Sequence, residues 1–373
     1  MPSVHALLSA SSASRWIHCT PSARLGENYD DQPSEYAAEG TEAHALGEYK
    51  VLKALKRKAT NPTKKLKYFS EEMDTCTDGY RDVVMELVME AKEKCNDPQV
   101  LIEQRVNFSH WVPEGFGTAD ALIVADGLLT ICDYKHGKGV AVDATDNAQL
   151  KCYALGALDM FDGIYDISTV RMIIYQPRRE NISEFQMAKD DLYRWADKEL
   201  KPRAELAFKG EGEFSCGAWC RFCRAKHECR ARAEANLTLT RLDFQLPPTL
   251  TDAEVAYVLD KADELVAWVS DIKEYALKAA LAGRSFSGWK LVEGRSNRKI
   301  SDEAAVAEAV MNDGKDPYEK KLLGVTALEK LLGKARFNEI LGQYVVKPQG
   351  KPTLVPESDK REPIGSDFEG ESS

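Results

Sequence analysis

The stretch that decides the fold is GTADALIVADGLLTICDYK, residues 117–135. It contains two apolar runs rich in β-branched residues, Thr118 to Val124 and Leu128 to Tyr134, and each run predicts a strand. Asp126-Gly127 between the runs is a strong signal for a tight hairpin turn. The stretch therefore predicts two adjacent antiparallel strands.

Two carboxylates and a lysine are predicted to meet at one end of this hairpin. Side chains two apart on a strand share a face, so Asp133 and Lys135 project together, and the hairpin can bring Asp120 beside them. Carboxylates are ligands for Mg²⁺, and a lysine can orient water or stabilise a phosphate transition state as a point charge. This combination suits phosphodiester hydrolysis. The alternative is an exposed ion pair, because D-x-K alone is common.

Helical and strand patterns flank this hairpin in alternation. The sequence predicts helices over 35–58, 79–95, 148–160 and 190–208, and further strands over 100–108 and 169–175. This order predicts an α/β fold in which helices cover both faces of a central sheet.

Beyond the predicted sheet, the chain is expected to change character. A long amphipathic helix is predicted over 251–282, because Thr251 and Glu254 form a capping box and Gly283 is a stop signal. We expect four parts: a domain over 1–236, a connector with the long helix over 237–283, a small α/β appendage over 284–346 and a mobile acidic tail over 347–373. For the appendage, both a helical and an α+β fold stay open.

The sequence predicts a cytoplasmic protein without a membrane span. No run approaches the ~20 apolar residues of a membrane span, and the N-terminus lacks the pattern of a secretory signal.

The net charge of −10 argues against a nucleic-acid partner. However, a binding groove needs only a local basic field, and residues 53–67 carry seven lysines and arginines without an acid. The alternative for this run is a solvated helix face.

Four of the nine cysteines are grouped near residue 220. In a reducing compartment, grouped thiols indicate metal rather than disulfides. Cys220, Cys223 and Cys229 can converge from one loop, which leaves one coordination position to Cys216 or Cys19. With Cys216, a four-cysteine zinc site follows, and His227 is a further zinc candidate.

Three further features support chemistry at the predicted hairpin. GTEAH places His44 on the first long helix, and imidazole is a competent metal ligand. Gln149 and Tyr153 lie four apart on the helix after DYK, so they share one face and can hydrogen-bond a phosphate or a catalytic side chain. Each of these features alone has an ordinary structural explanation.

The candidate DNA-contacting residues are Lys56, Arg57, Lys58, Arg178 and Arg179.

The succession GTEAH, GTAD, DYK and QLKCY resembles the RecB-like branch of the PD-(D/E)XK nucleases, over about residues 12–236. The resemblance implies a restriction-endonuclease-like core and a DNA nuclease that depends on Mg²⁺ or Mn²⁺. It implies metal binding by His44, Asp120, Asp133 and the Tyr134 carbonyl. It also implies that Asp120, Asp133, Lys135, Gln149 and Tyr153 form the catalytic site.

The same resemblance extends to the cysteines. Iron–sulfur members of this branch take one cysteine from before the nuclease core and three from a C-x2-C-x5-C run after it. SASRWIHCTPSARL resembles the leading segment, which implies a [4Fe–4S] cluster held by Cys19, Cys220, Cys223 and Cys229. Cys216 departs from the pattern, and zinc is the alternative.

The expected function is an exonuclease in phage recombination or DNA processing. The whole chain also resembles a group of phage-encoded proteins of this type. The expected partners are DNA and a recombinase or single-strand annealing protein, and the expected location is then the host cytoplasm. Two alternatives stay open: a catalytically silent DNA-binding or inhibitory module, and a site-specific endonuclease on the same fold.

Overall fold

A computed structural model describes residues 6–29, 35–238, 250–292, 300–318 and 322–346. The chain divides into two compact units, Met1–Ala282 and Gly283–Ser373. Within the described ranges, no helix is both long enough and apolar enough to cross a membrane. The predicted acidic tail, 347–373, lies outside the described residues.

The first unit is built on a five-stranded mixed sheet in the order β1-β2-β3-β4-β5. Neighbouring strands are antiparallel except β3 and β4, which are parallel. The predicted hairpin is confirmed: Ala125 pairs with Leu128, and Gly127 takes a φ of +82° that favours glycine. The strands are β1 (Gln99–Asn107), β2 (Phe116–Ala125), β3 (Gly127–Tyr134), β4 (Ile167–Gln176) and β5 (Asn181–Ala188).

Helices cover both faces of this sheet, as the alternating pattern predicted. One buried cluster joins Trp16, Leu129, Ile131 and Leu150 on the face covered by α5 (Ala148–Phe161). The other joins Leu46, Val84, Cys132 and Tyr134 on the face covered by α3 (Glu35–Ala54) and α4 (Glu71–Lys94). The alternation of Ile131 and Cys132 between these clusters follows the two-residue period of a strand. The helices of this part are α1 (Ala13–His18), α2 (Ser22–Leu25), α3 (Glu35–Ala54), α4 (Glu71–Lys94), α5 (Ala148–Phe161), α6 (Lys189–Trp195), α7 (Lys201–Lys209) and α8 (Arg230–Leu237).

The first unit ends in the predicted long helix, α9 (Asp252–Leu281), with its Thr251–Glu254 capping box. None of the residues of this amphipathic helix is buried, and Val255 and Leu259 of its apolar stripe are exposed. Ion pairs hold it to the segment around α8 instead: Lys226 Nζ lies 2.6 Å from Asp271 Oδ1.

The second unit contains the predicted appendage, for which the sequence left a helical and an α+β fold open. Its described residues, 300–318 and 322–346, contain helices and no strand. These helices are α10 (Glu303–Asn312), α11 (Val325–Leu332) and α12 (Lys334–Leu341). The physical reason is local: α10 is rich in alanine and glutamate, which favour helix, and Asp302 caps it by accepting from the Ala305 amide at 3.0 Å.

Candidate active site and cysteine cavity

Asp120 and Asp133 come together where β2 and β3 lie side by side. Both side chains are buried, and the Tyr134 amide N–H donates to Asp120 Oδ2 at 2.7 Å. This bond ties the carboxylate of β2 to the backbone of β3. The predicted convergence of the two carboxylates thus follows from strand register. The expectation that the Tyr134 carbonyl binds metal stays a prediction.

Lys135, Gln149 and Tyr153 join Asp133 in one hydrogen-bonded network. Lys135 Nζ lies 2.8 Å from Asp133 Oδ2 and donates to Gln149 Oε1 at 3.2 Å. The Gln149 amide donates to Asp133 Oδ1 at 3.1 Å and to the Tyr153 hydroxyl at 3.0 Å. The glutamine of α5 therefore holds both the carboxylate and the lysine of the D-x-K strand in place.

Gly117 of the GTAD motif makes room for this network. A Cβ at Gly117 would lie 2.8 Å from Cε1 of Tyr153, closer than packed atoms approach. The motif therefore needs glycine because the Tyr153 ring packs against the start of β2.

His44 on α3 completes a potential metal group, together with a glutamate that sequence reasoning missed. His44, Glu103 and Asp120 each offer one ligand atom, and these three atoms lie within 4.8 Å of one another. Among the described residues, no other group of three histidines, cysteines or acids is this close. His44 Nδ1 lies 3.3 Å from Asp120 Oδ1 and 3.9 Å from Glu103 Oε1. We call His44, Glu103, Asp120, Asp133 and Lys135 the carboxylate site.

Glu103 occupies an unusual position in β1. The flanking pairs Ile102–Ala121 and Gln104–Ala119 place it opposite Asp120, and its φ is +50°, in the left-handed region that costs a non-glycine residue energy. A carboxylate held in this conformation beside a second carboxylate is typical of a functional site. The sequence feature that could have indicated Glu103 is a glutamate inside the apolar strand LIEQRV. It was missed because an acid in a strand usually faces solvent.

Burial and neighbouring charges shift the pKa values of the side chains in the carboxylate site. Burial and the neighbouring Asp120 raise the pKa of Glu103 to about 7. Burial alone would lower the pKa of His44, but Asp120 outweighs it and raises the pKa to about 9. Burial raises the pKa of Asp133 although Lys135 opposes it. An excess of negative charge is therefore concentrated here, which favours a cation.

All five cysteines considered as cluster ligands line one small cavity. Cys19 follows α1, and the others lie between α7 and α8, so the fold brings together segments about 200 residues apart. Arg15, Lys226 and Arg232 line the same cavity. We call the thiols of Cys19, Cys216, Cys220, Cys223 and Cys229 the cysteine cavity.

One pair of thiols in the cysteine cavity has the spacing of a tetrahedral zinc site. A tetrahedral ion with Zn–S bonds of about 2.3 Å brings its thiolates to roughly 3.8 Å from one another. Cys216 and Cys220 Sγ lie 3.9 Å apart. Among the described residues, however, no three of the thiols lie within 4.8 Å of one another. A four-iron cluster holds its thiolates further apart, because the iron corners lie between them.

The predicted DNA-contacting residues fall into two groups. Lys56, Arg57 and Lys58 are exposed after α3. Arg178 instead pairs with Glu39 at 2.9 Å and Glu72 at 3.0 Å, and Arg179 donates to the Lys138 carbonyl at 2.9 Å. These two arginines hold the segment after β3 in place, and the guanidinium of Arg178 is already engaged by carboxylates.

The chain belongs to the family described as "Protein of unknown function (DUF2800)", which matches residues 5–362. A solved structure, "Crystal structure of SSO0001", is similar at 15% identity with a TM-score of 0.24, covering 50% of this chain and 95% of that chain. A likeness at this level carries no argument about fold or function.

Proposed function

We propose that this chain is a divalent-metal-dependent deoxyribonuclease with a RecB-like, restriction-endonuclease-like core. The observation that carries the proposal is the meeting of Asp120, Asp133 and Lys135 at the β2–β3 hairpin, with His44 beside them. The resemblance of the four motifs supports the same assignment. Within this class we favour an exonuclease that processes DNA in phage recombination, with a recombinase or annealing protein as its partner.

The donor set fits Mg²⁺ or Mn²⁺. His44, Glu103 and Asp120 offer one nitrogen and two carboxylates, and Asp133 adds a third carboxylate beside them. When bound, such a cation supplies Lewis acidity that lowers the pKa of water and neutralises charge on a phosphate. The surplus of carboxylates over cations in the carboxylate site is the reason to expect the ion.

Lys135 and Gln149 perform the remaining work. Burial would lower the pKa of Lys135, but Asp133 and Asp120 raise it, so the amine stays a cation at neutral pH. It can place that charge against a phosphate oxygen or orient an attacking water. Gln149 holds the lysine and Asp133 in register, so that neither must reorganise when the substrate arrives.

The cysteine cavity fits a [4Fe–4S] cluster with Cys19, Cys220, Cys223 and Cys229 as ligands. The approach of these cysteines from both ends of the first unit supports this assignment, and zinc with Cys216 as a ligand is the alternative. Its role would be structural, because it lies in a different part of the unit from the carboxylate site.

The experiment that tests the proposal compares end-labelled linear DNA with covalently closed circular DNA, each incubated with Mg²⁺, Mn²⁺ or EDTA. We expect the linear DNA to shorten from its ends only when metal is present, and the circle to stay intact. Nicking of the circle would identify an endonuclease instead. Loss of neither DNA with either metal would reject the nuclease and leave a binding module.

A further inference from the structure

One ridge of α3 leads from the helix N-terminus through the carboxylate site into a surface groove. Residues four apart share a ridge, and this ridge carries Tyr36, Gly40, His44, Glu48 and Leu52. Glu48 and Leu52 line a surface groove whose other side is formed by Lys58, Ala59, Thr60 and Pro62. The ridge and the groove therefore form one path past His44.

Gly40 on this ridge has no packing explanation. Glycine destabilises the interior of a helix relative to alanine, yet a Cβ at Gly40 would meet nothing within 4 Å among the described residues. Since no described group requires the glycine, its effect is to leave the helix backbone accessible one turn before His44. Glycine serves this purpose where a ligand backbone must approach closely.

Tyr36 stands at the start of the same ridge with 84% of its surface exposed. Eight residues of helix separate it from His44, which is about 12 Å. A large aromatic ring this exposed offers a free face for stacking. Unpaired nucleic-acid bases stack on such rings regardless of their sequence.

The charge beside the groove complements a phosphate backbone. Five exposed lysines follow the ridge, and the structure gives them no ion-pair partner among the described residues: Lys53, Lys56, Lys58, Lys64 and Lys65. On a chain of net charge −10, such an unpaired basic run marks an anionic partner. Glu48 is the acid of the groove, and it adds to the negative charge around Glu103 that a cation would offset.

We propose that this path binds single-stranded DNA, with one base stacked on Tyr36, the backbone crossing Gly40 and the following phosphates against the lysine run. The proposal rests on the proposed function and specifies the form of its substrate. An unpaired strand is favoured because stacking on Tyr36 needs a free base. In addition, His44 and Asp120 are recessed, with side chains 30% and 9% exposed, so a narrow strand reaches them more easily than a duplex.

The test is the affinity of the full-length protein for a fluorescent single-stranded oligonucleotide and for its duplex, in Ca²⁺, with electrophoresis to verify that the DNA stays intact. We expect the single strand to bind more tightly. Tyr36→Ala should weaken it about tenfold, the size of one lost stacking contact. Gly40→Gln should weaken it similarly and raise the unfolding temperature, because it adds a helix former in open space. Tyr344→Ala, at a tyrosine 74% exposed, is the control and should change nothing.

The outcomes separate this inference from the nuclease assignment. Single-strand binding that depends on Tyr36 and Gly40, in a protein that cleaves nothing, would keep the path and reject the nuclease. Metal-dependent cleavage by variants with wild-type affinity for the single strand would keep the nuclease and overturn the path. Equal affinity for the duplex would also overturn it.

Discussion

The carboxylate site and the cysteine cavity are built in opposite ways. In the carboxylate site, Lys135 and Asp133 form an ion pair, and Gln149 of α5 hydrogen-bonds both of them. In the cysteine cavity, the contact between thiols that the described residues show joins Cys216 and Cys220. Contacts among the protein's own side chains therefore organise the first, whereas under our proposal a bound cluster organises the second. Substitutions in the first should change chemistry, and substitutions in the second should change folding.

The largest effect is expected at the D-x-K strand. Asp133→Asn and Lys135→Met should each reduce the rate of DNA cleavage at least ~100-fold, because they remove a metal ligand and the charge that faces the phosphate. The unfolding transition should remain cooperative, since Gln149 still supports the strand. The measurement is the cleavage rate of end-labelled DNA alongside thermal unfolding by circular dichroism.

Lys138→Met is the matched control, since Lys138 is an exposed lysine paired with Glu72 outside the network. It should cleave like the wild type. If either variant at the D-x-K strand kept more than about 1% of the wild-type rate, these residues would not be the catalytic ones.

The next effect separates the cysteine cavity from the carboxylate site. Cys19→Ser should remove the cluster's absorbance near ~400 nm and lower the unfolding temperature of the whole first unit, because a link across a long loop is lost. Cys216→Ser should keep the absorbance. Anaerobic purification with iron, sulfide and zinc analysis provides the measurement.

Cys95→Ser serves as the control for sulfur loss, because Cys95 is buried beside Asp126 and away from the cavity. A colourless wild type with one zinc per chain, unaffected by Cys19→Ser, would contradict the cluster. It would leave the nuclease assignment intact, because the two sites lie in separate parts of the unit.

A smaller effect is expected on the metal side of the carboxylate site. His44→Ala should raise the Mn²⁺ concentration needed for half-maximal cleavage by about tenfold or more, since the ion loses one ligand but keeps Asp120. Excess Mn²⁺ should then restore part of the rate. His110→Ala, at an exposed histidine distant in sequence, should leave the metal dependence unchanged. An inactive His44→Ala that no metal concentration rescues would show that His44 has a role other than binding metal.

Sequence alone predicted the parts of the fold that depend on local pattern. The hairpin at Asp126-Gly127 and the shared face of Gln149 and Tyr153 follow from residue spacing, and both are confirmed. Strand β5 was missed, because its alternation is carried by polar residues such as Ser183 and Gln186 that do not distinguish an edge strand from a loop.

Close contacts between distant segments were beyond the reach of sequence. The helix predicted from residue 79 begins at Glu71, so Gly79 lies inside the helix rather than at its start. This position requires glycine because a Cβ there would meet the Tyr175 hydroxyl. Glu103 was missed because its position opposite Asp120 depends on the pairing of β1 with β2. The roles of Gly79 and Glu103 depend on contacts between segments that are distant in sequence, and local sequence patterns do not reveal such contacts.

The smallest predicted effect tests the charge of the carboxylate site through stability. The pKa of Glu103 is raised to about 7, so between its ordinary value near ~4.5 and 7 the folded chain binds more protons than the unfolded chain. The stability that this proton contributes is present below pH ~4.5 and is lost as the pH rises through 7. Glu103→Gln removes the titration, so in EDTA the variant should be more stable than the wild type at pH 8, by on the order of 1–3 kcal/mol, and the difference should shrink toward pH 5. The measurement is the unfolding free energy at each pH.

Glu114→Gln, at an exposed glutamate that also has a positive φ of 54°, should show no such trend. Mg²⁺ at pH 8 should stabilise the wild type more than Glu103→Gln, because the ion binds the folded state through this carboxylate. A pH-independent difference between the wild type and Glu103→Gln would mean that Glu103 is not part of the concentrated charge.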